Sequence, residues 1–98
     1  MIKIYGKEDC PFCDKAKQLC SSKDIDFSYY QLGVDYSISE LMQLAPTART
    51  MPQIFKQYNE DDSVEPDSSL LHIGGYAELQ EFIKWNEEAY TWRNTLLP

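Results

Sequence analysis

Residues 7–17 read KEDCPFCDKAK, with two cysteines three positions apart at the head of a run of helix formers. Pro11 suits the first helical position, where a backbone N–H would be unpaired in any case. Cys10 therefore falls at or just before the first turn. Unpaired N–H groups and the positive end of the helix dipole favour a thiolate there. Cys13, one turn on, lies on the same face, close enough for a disulfide to close. An exposed, low-pKa thiol with a second thiol in reach is what exchange chemistry requires: one attacks, the other resolves. Lys7 adds a cation, and Glu8 and Asp9 oppose it, so the expected lowering at Cys10 is not extreme.

Working outward, "MIKIY" (1–5) alternates apolar and polar residues as a strand does. A helix is predicted from Pro11 to about Lys23, with Phe12, Ala16, Leu19 and Cys20 as its apolar stripe. "DFSYYQL" (26–32) reads as a second strand. "YSISELMQLA" (36–45) opens with Ser37 and Glu40 three apart, a capping-box spacing. Ile38, Leu41, Met42 and Ala45 form its expected stripe, and Pro46 stops it. "PQIFKQY" (52–58) and "SLLHI" (69–73) read as two further strands, Gly74-Gly75 as a turn, and Tyr76 to roughly Tyr90 as a last helix. "NTLLP" at the end carries no clear signal.

The order β-α-β-α-β-β-α implies a crossover helix between parallel strands, then a hairpin. The expected fold is α/β, a four-stranded mixed sheet flanked by three helices. With 98 residues the chain is sized for one domain, 1–98, and its thirteen aromatic residues are expected to supply much of a modest core. The net charge of −7 argues against nucleic acid or anionic membrane as main partner. No apolar run approaches the roughly 20 residues of a membrane span. The N-terminus reads as a strand, not a signal peptide. Three cysteines with one close pair fit a reducing cytoplasm better than a disulfide-stapled secreted domain.

Two other readings of the thiols stand beside the redox one. Cys10, Cys13, Cys20 and His72 form a conceivable zinc set, but their spacing argues against it, and no metal is expected. Cys20 falls in an apolar stripe, where a free cysteine acts as a small hydrophobe, and His72 between Leu71 and Ile73 reads as structural. A permanent disulfide over so short a loop stabilises little in the chain-entropy model. A CxxC that follows a strand and opens the helix of a βαβ unit favours redox chemistry.

With these residues in view, the chain resembles the glutaredoxin family of the thioredoxin superfamily over nearly its whole length. "CPFC" looks like the dithiol active site, with Phe12 at the usual tyrosine. "ARTMPQIF" is similar to the family's Thr-Val-Pro segment, with Met51 for valine. "HIGGYAEL" resembles the glycine-pair motif that opens the last helix. The Thr-Met-Pro form and acidic body are also similar to small phage glutaredoxins. Thioredoxins fit less well: they carry tryptophan before the first cysteine and Gly-Pro between the pair, where this chain has Asp9 and Pro-Phe.

The resemblance implies a thioredoxin-like fold and a monomeric thiol–disulfide oxidoreductase with glutathione as cosubstrate. Its implied substrates are disulfide-containing proteins, ribonucleotide reductase being a common client of the family. Cys10 is then the nucleophile and Cys13 the resolving thiol. Pro52 is expected in cis, freeing the Met51 backbone to pair with the cysteinyl part of glutathione. Lys7 and Arg49 fall near its glycine carboxylate, and the N–H groups of Tyr76 and Ala77 near its γ-glutamyl carboxylate. Phe12, Thr50, Gly75 and Glu78 complete the expected binding set. Ala77 departs from the family's Asp or Ser, and Glu78 is expected to replace that acceptor only in part, so weaker glutathione binding is expected. The loop Lys56–Leu70 is longer than usual. Its acidic run 59–67 lacks the EF-hand glycine and terminal glutamate and reads as a solvated loop, or else as a docking surface for a basic partner. Two rival functions remain: a thioredoxin-like reductant fed by thioredoxin reductase, and a glutathione-dependent iron–sulfur binding module, which Pro11 disfavours within the family.

Overall fold

A computed structural model describes residues 1–57 and 70–85. The acidic run 59–67 and the end of the last helix towards Tyr90 lie outside the described residues. Strands β1 (Ile2–Gly6), β2 (Phe27–Gln31), β3 (Gln53–Gln57) and β4 (Leu70–Gly74) form one sheet in the order β2-β1-β3-β4. β1 pairs β2 in parallel, as the strand-helix-strand reading predicts, and β3 pairs β4 antiparallel, as the hairpin reading predicts; β3 also pairs β1, antiparallel. Helices α1 (Pro11–Ser22), α2 (Ile38–Leu44) and α3 (76–85) flank the sheet, giving the thioredoxin-like arrangement. Among the described residues no helix is long and apolar enough to cross a membrane.

Each helix has a local cause. Cys10 caps α1 from extended backbone (φ −120°, ψ 98°), with Pro11 at its first position and Asp14 in its first turn. Asp24, in the left-handed region at φ 54°, turns the chain out of α1, and the Ile25 N–H returns to the Cys20 carbonyl at 2.9 Å. Ser37 caps α2: its Oγ accepts the Glu40 N–H at 3.3 Å and donates to Glu40 Oε1 at 3.2 Å.

Strand alternation sorts the core into two layers. Ile2, Ile4 and Ile54 face Ala16 and Cys20 of α1 and Leu79 and Ile83 of α3. Phe55 faces the other way, with Tyr36, Leu41, Ala45 and Ala48. Ile4, Ile54 and Leu79 are fully buried, each contributing on the order of 2 kcal/mol.

Two stripe expectations need correction. Phe12 is 53% exposed: the buried stripe of α1 is Cys13, Ala16 and Cys20, and Phe12 lies one residue, about 100°, off it. Ile38 is 48% exposed, because burial in α2 begins a turn later at Leu41.

Candidate functional site

Strand direction gathers the site. β3 runs against β1, so the start of β3 lies beside the end of β1, with Tyr5 opposite Gln53. β4 runs against β3, so its end returns to the same place, with Gly74 opposite Ile54. Loop 7–10, Pro52 and the Gly74-Gly75 turn thus share one end of the sheet.

Cys10 and Cys13 are joined as a disulfide with their Cα atoms 5.2 Å apart. The Cys13 N–H donates to Cys10 Sγ at 3.2 Å. The expectation of an exposed nucleophile is corrected: Cys10 is 7% exposed and Cys13 0%. As the cap, Cys10 turns its sulfur back over the first turn towards a partner seated in the core. Cys20, the third cysteine, is free and buried, and burial pushes its thiol pKa up. His72 Nε2 bonds Gln53 Oε1 at 2.7 Å.

Lys7, Arg49, Thr50 and Met51 line one groove of about 350 Å³, with Ile38 and Met42 among its walls. The exposed Ile38 therefore serves the groove, not the core. Arg49 Nη1 donates to the Ala48 carbonyl at 3.0 Å, which leaves its other N–H donors for a ligand. The Met51–Pro52 bond is cis, as expected.

A second group lies at the head of α3. A Cβ on Gly75 would stand 3.7 Å from the Pro52 carbonyl oxygen, which places this turn against the proline. Glu78 Oε2 accepts the Gly75 N–H at 3.1 Å, so one carboxylate oxygen already caps this turn. Tyr76 and Phe12 rings lie 6.0 Å apart, and Lys15 Nζ stands 5.1 Å above Phe12. Ala77 is exposed.

Two side chains that shape this end were not singled out from sequence. Buried Tyr36 donates its hydroxyl to the Gly6 carbonyl at 2.8 Å, with Met51 Sδ 3.6 Å from the same oxygen. Burial, then Tyr29 and Tyr5, pushes its pKa up to about 12. Gln53 is the other. Its one visible signal is a polar residue in the same strand phase as buried Phe55.

Comparison with known proteins agrees with this geometry. Residues 2–59 match the sequence model of the glutaredoxin family. The chain is 39% identical over 78 residues to glutaredoxin 3 of Escherichia coli, covering 80% of each protein. It is 34% identical over 98 aligned positions to the glutaredoxin of Enterobacteria phage T4, covering 86% of this chain and 100% of that one. The solved structure of reduced Escherichia coli glutaredoxin superposes with a TM-score of 0.57 at 27% identity, covering 89% of this chain and 96% of that one. The chain also matches the hybrid peroxiredoxin hyPrx5 of Haemophilus influenzae at 33% identity, spanning 28% of that protein's length. A cysteine pair heading α1 of a thioredoxin-like fold defines a thiol–disulfide oxidoreductase. Within that class, this chain belongs to the glutaredoxin family.

Proposed function

We propose that the chain is a glutathione-dependent reductant of protein disulfides and glutathione mixed disulfides, working by a dithiol mechanism as a monomer in the cytoplasm. The observation that carries this is the asymmetry of the pair: Cys10 heads the helix and keeps some surface, while Cys13 keeps none. The Cys10 thiolate attacks a substrate disulfide, forming a mixed disulfide and releasing the first substrate thiolate. Cys13, deprotonated, attacks Cys10 Sγ, closes the internal disulfide and releases the second. A glutathione thiolate then opens the Cys10–Cys13 bond at Cys10. A second glutathione removes the first as oxidised glutathione and regenerates the Cys10 thiolate.

The groove chemistry suits glutathione. Lys7 and Arg49 supply cations for its glycine carboxylate, Thr50 and Met51 a backbone edge for its cysteinyl part, and Pro52 the turn that presents that edge. The N–H groups of Tyr76 and Ala77 receive the γ-glutamyl carboxylate beside Gly75, and Phe12 borders the bound tripeptide. Glu78 offers its remaining oxygen to the γ-glutamyl ammonium. The protein client, with ribonucleotide reductase as one candidate, is selected beyond this groove.

The test compares turnover fed by glutathione plus glutathione reductase with turnover fed by thioredoxin reductase. Faster turnover with glutathione is expected. Turnover with thioredoxin reductase alone would overturn the reading.

A further inference from the structure

Gln53 is buried, 5% exposed, and both ends of its amide are engaged. Nε2 donates to the Thr50 carbonyl at 2.7 Å. Oε1 lies 2.7 Å from His72 Nε2, so that nitrogen carries the proton and donates. His72 is stacked on the fully buried Phe55 ring, 4.8 Å between centroids, across the β3–β4 pairing. A line of contacts thus runs from the core through Phe55, His72 and Gln53 to the backbone of Thr50. Thr50 and Arg49 are themselves exposed on the groove.

We propose that Gln53, oriented by His72, is a positioning residue that fixes the Arg49–Met51 segment for the glutathione moiety of the substrate. The inference rests on the reading that this groove takes glutathione. An amide has one donating end. If His72 did not donate to Oε1, the amide could turn its oxygen towards the Thr50 carbonyl, and two acceptors would face each other. With the donor in place, only one orientation satisfies every group. The Thr50 carbonyl is then tied down, and the neighbouring Met51 backbone meets substrate without first losing conformational freedom. Gln53 touches no reacting atom in this account. Its effect should appear in substrate binding and leave the exchange step alone.

The test uses the full chain and two mixed disulfides of one cysteine peptide, one with glutathione and one with cysteamine, which lacks both carboxylates. Wild type is expected to show the lower KM for the glutathionyl peptide. No such preference would overturn the proposed glutathione site itself. Gln53→Met, nearly isosteric and without either hydrogen bond, is expected to raise that KM roughly five- to tenfold, with kcat within about twofold and the cysteamine peptide unaffected. His72→Phe, which keeps the stacking and removes the donor, is expected to raise it less, and His72→Gln, which retains an N–H donor, to restore it. His72 lies on the edge strand, so its variants carry the test if Gln53→Met does not fold. Wild-type preference with an unchanged KM in the variants, or equal losses on both peptides, would overturn the inference and leave the glutathione site standing.

Discussion

The Cys13 backbone N–H points at Cys10 Sγ across 3.2 Å, which places the first sulfur of the pair where the opening turn of α1 presents its unpaired donors. Cys10 and Cys13 are therefore not interchangeable. Cys10→Ser is expected to bring reduction of a glutathionylated peptide down to the uncatalysed rate. Cys13→Ser is expected to keep that activity within about tenfold and to lose reduction of protein disulfides, which needs the resolving thiol. Steady-state rates with the two substrates separate the cases, and retained activity in Cys10→Ser would refute the assignment.

Tyr36 ties alkaline stability to the site. Its ordinary pKa is about 10 in an unfolded chain, and burial raises it to about 12 in the fold. The folded state then holds the proton over a range where the unfolded state releases it. Stability should be fully present below about pH 10 and be lost as pH rises towards about 12. Burial also raises Tyr5 and Tyr29, so several tyrosines act in the same direction. Tyr36→Phe should start about 1 kcal/mol less stable, having lost its bond to the Gly6 carbonyl, which keeps the Leu32 N–H at 2.9 Å, and decline less steeply over that window. Urea unfolding at stepped pH values reads both effects.

Gly74 turns β4 into α3 at φ +123°, a conformation that side chains rarely adopt. A Cβ there would stand 2.9 Å from Glu78 Cγ and 3.0 Å from Glu78 Cβ. Gly74→Ala should cost about 1–3 kcal/mol and displace the Glu78 carboxylate from the Gly75 N–H. Denaturant midpoints measure the first, and the amide shift of Gly75 in NMR reports the second.

Lys7 and Arg49 are exposed, so their attraction for a carboxylate is screened. Arg49→Ala should raise the KM for glutathione roughly two- to fivefold at low salt. Near 1 M salt, where the Debye length is about 3 Å, the difference from wild type should largely vanish. A salt series of initial rates checks this.

The strands, the parallel β1–β2 pairing and the β3–β4 hairpin were legible, because the connection between the first two strands reads as a helix and that between the last two as a turn-rich loop; the β1–β3 pairing and the spatial order β2-β1-β3-β4 were not, since no local pattern encodes them. The helix faces were legible only in part. Counting Cys13 as chemistry hid its place in the buried Cys13–Ala16–Cys20 stripe, and Phe12 was assigned to the core in its stead. Ile38 misled because periodicity shows a face but not that the first turn of α2 borders a groove. The Gln53–His72 bond was out of reach for another reason. It depends on β3–β4 register, which shifts between Ile54 and Phe55, and no local pattern encodes that irregularity. The cysteine pair itself was readable, since its spacing and its proline describe a helix start.

The most direct measurement is the ionisation of Cys10 in the reduced protein, followed by the pH dependence of its alkylation with iodoacetamide in a Cys13→Ser, Cys20→Ala background. A thiolate stabilised at the head of α1 should react with a midpoint clearly below the roughly 8.5 of a free cysteine. A midpoint at or above that value would contradict the account.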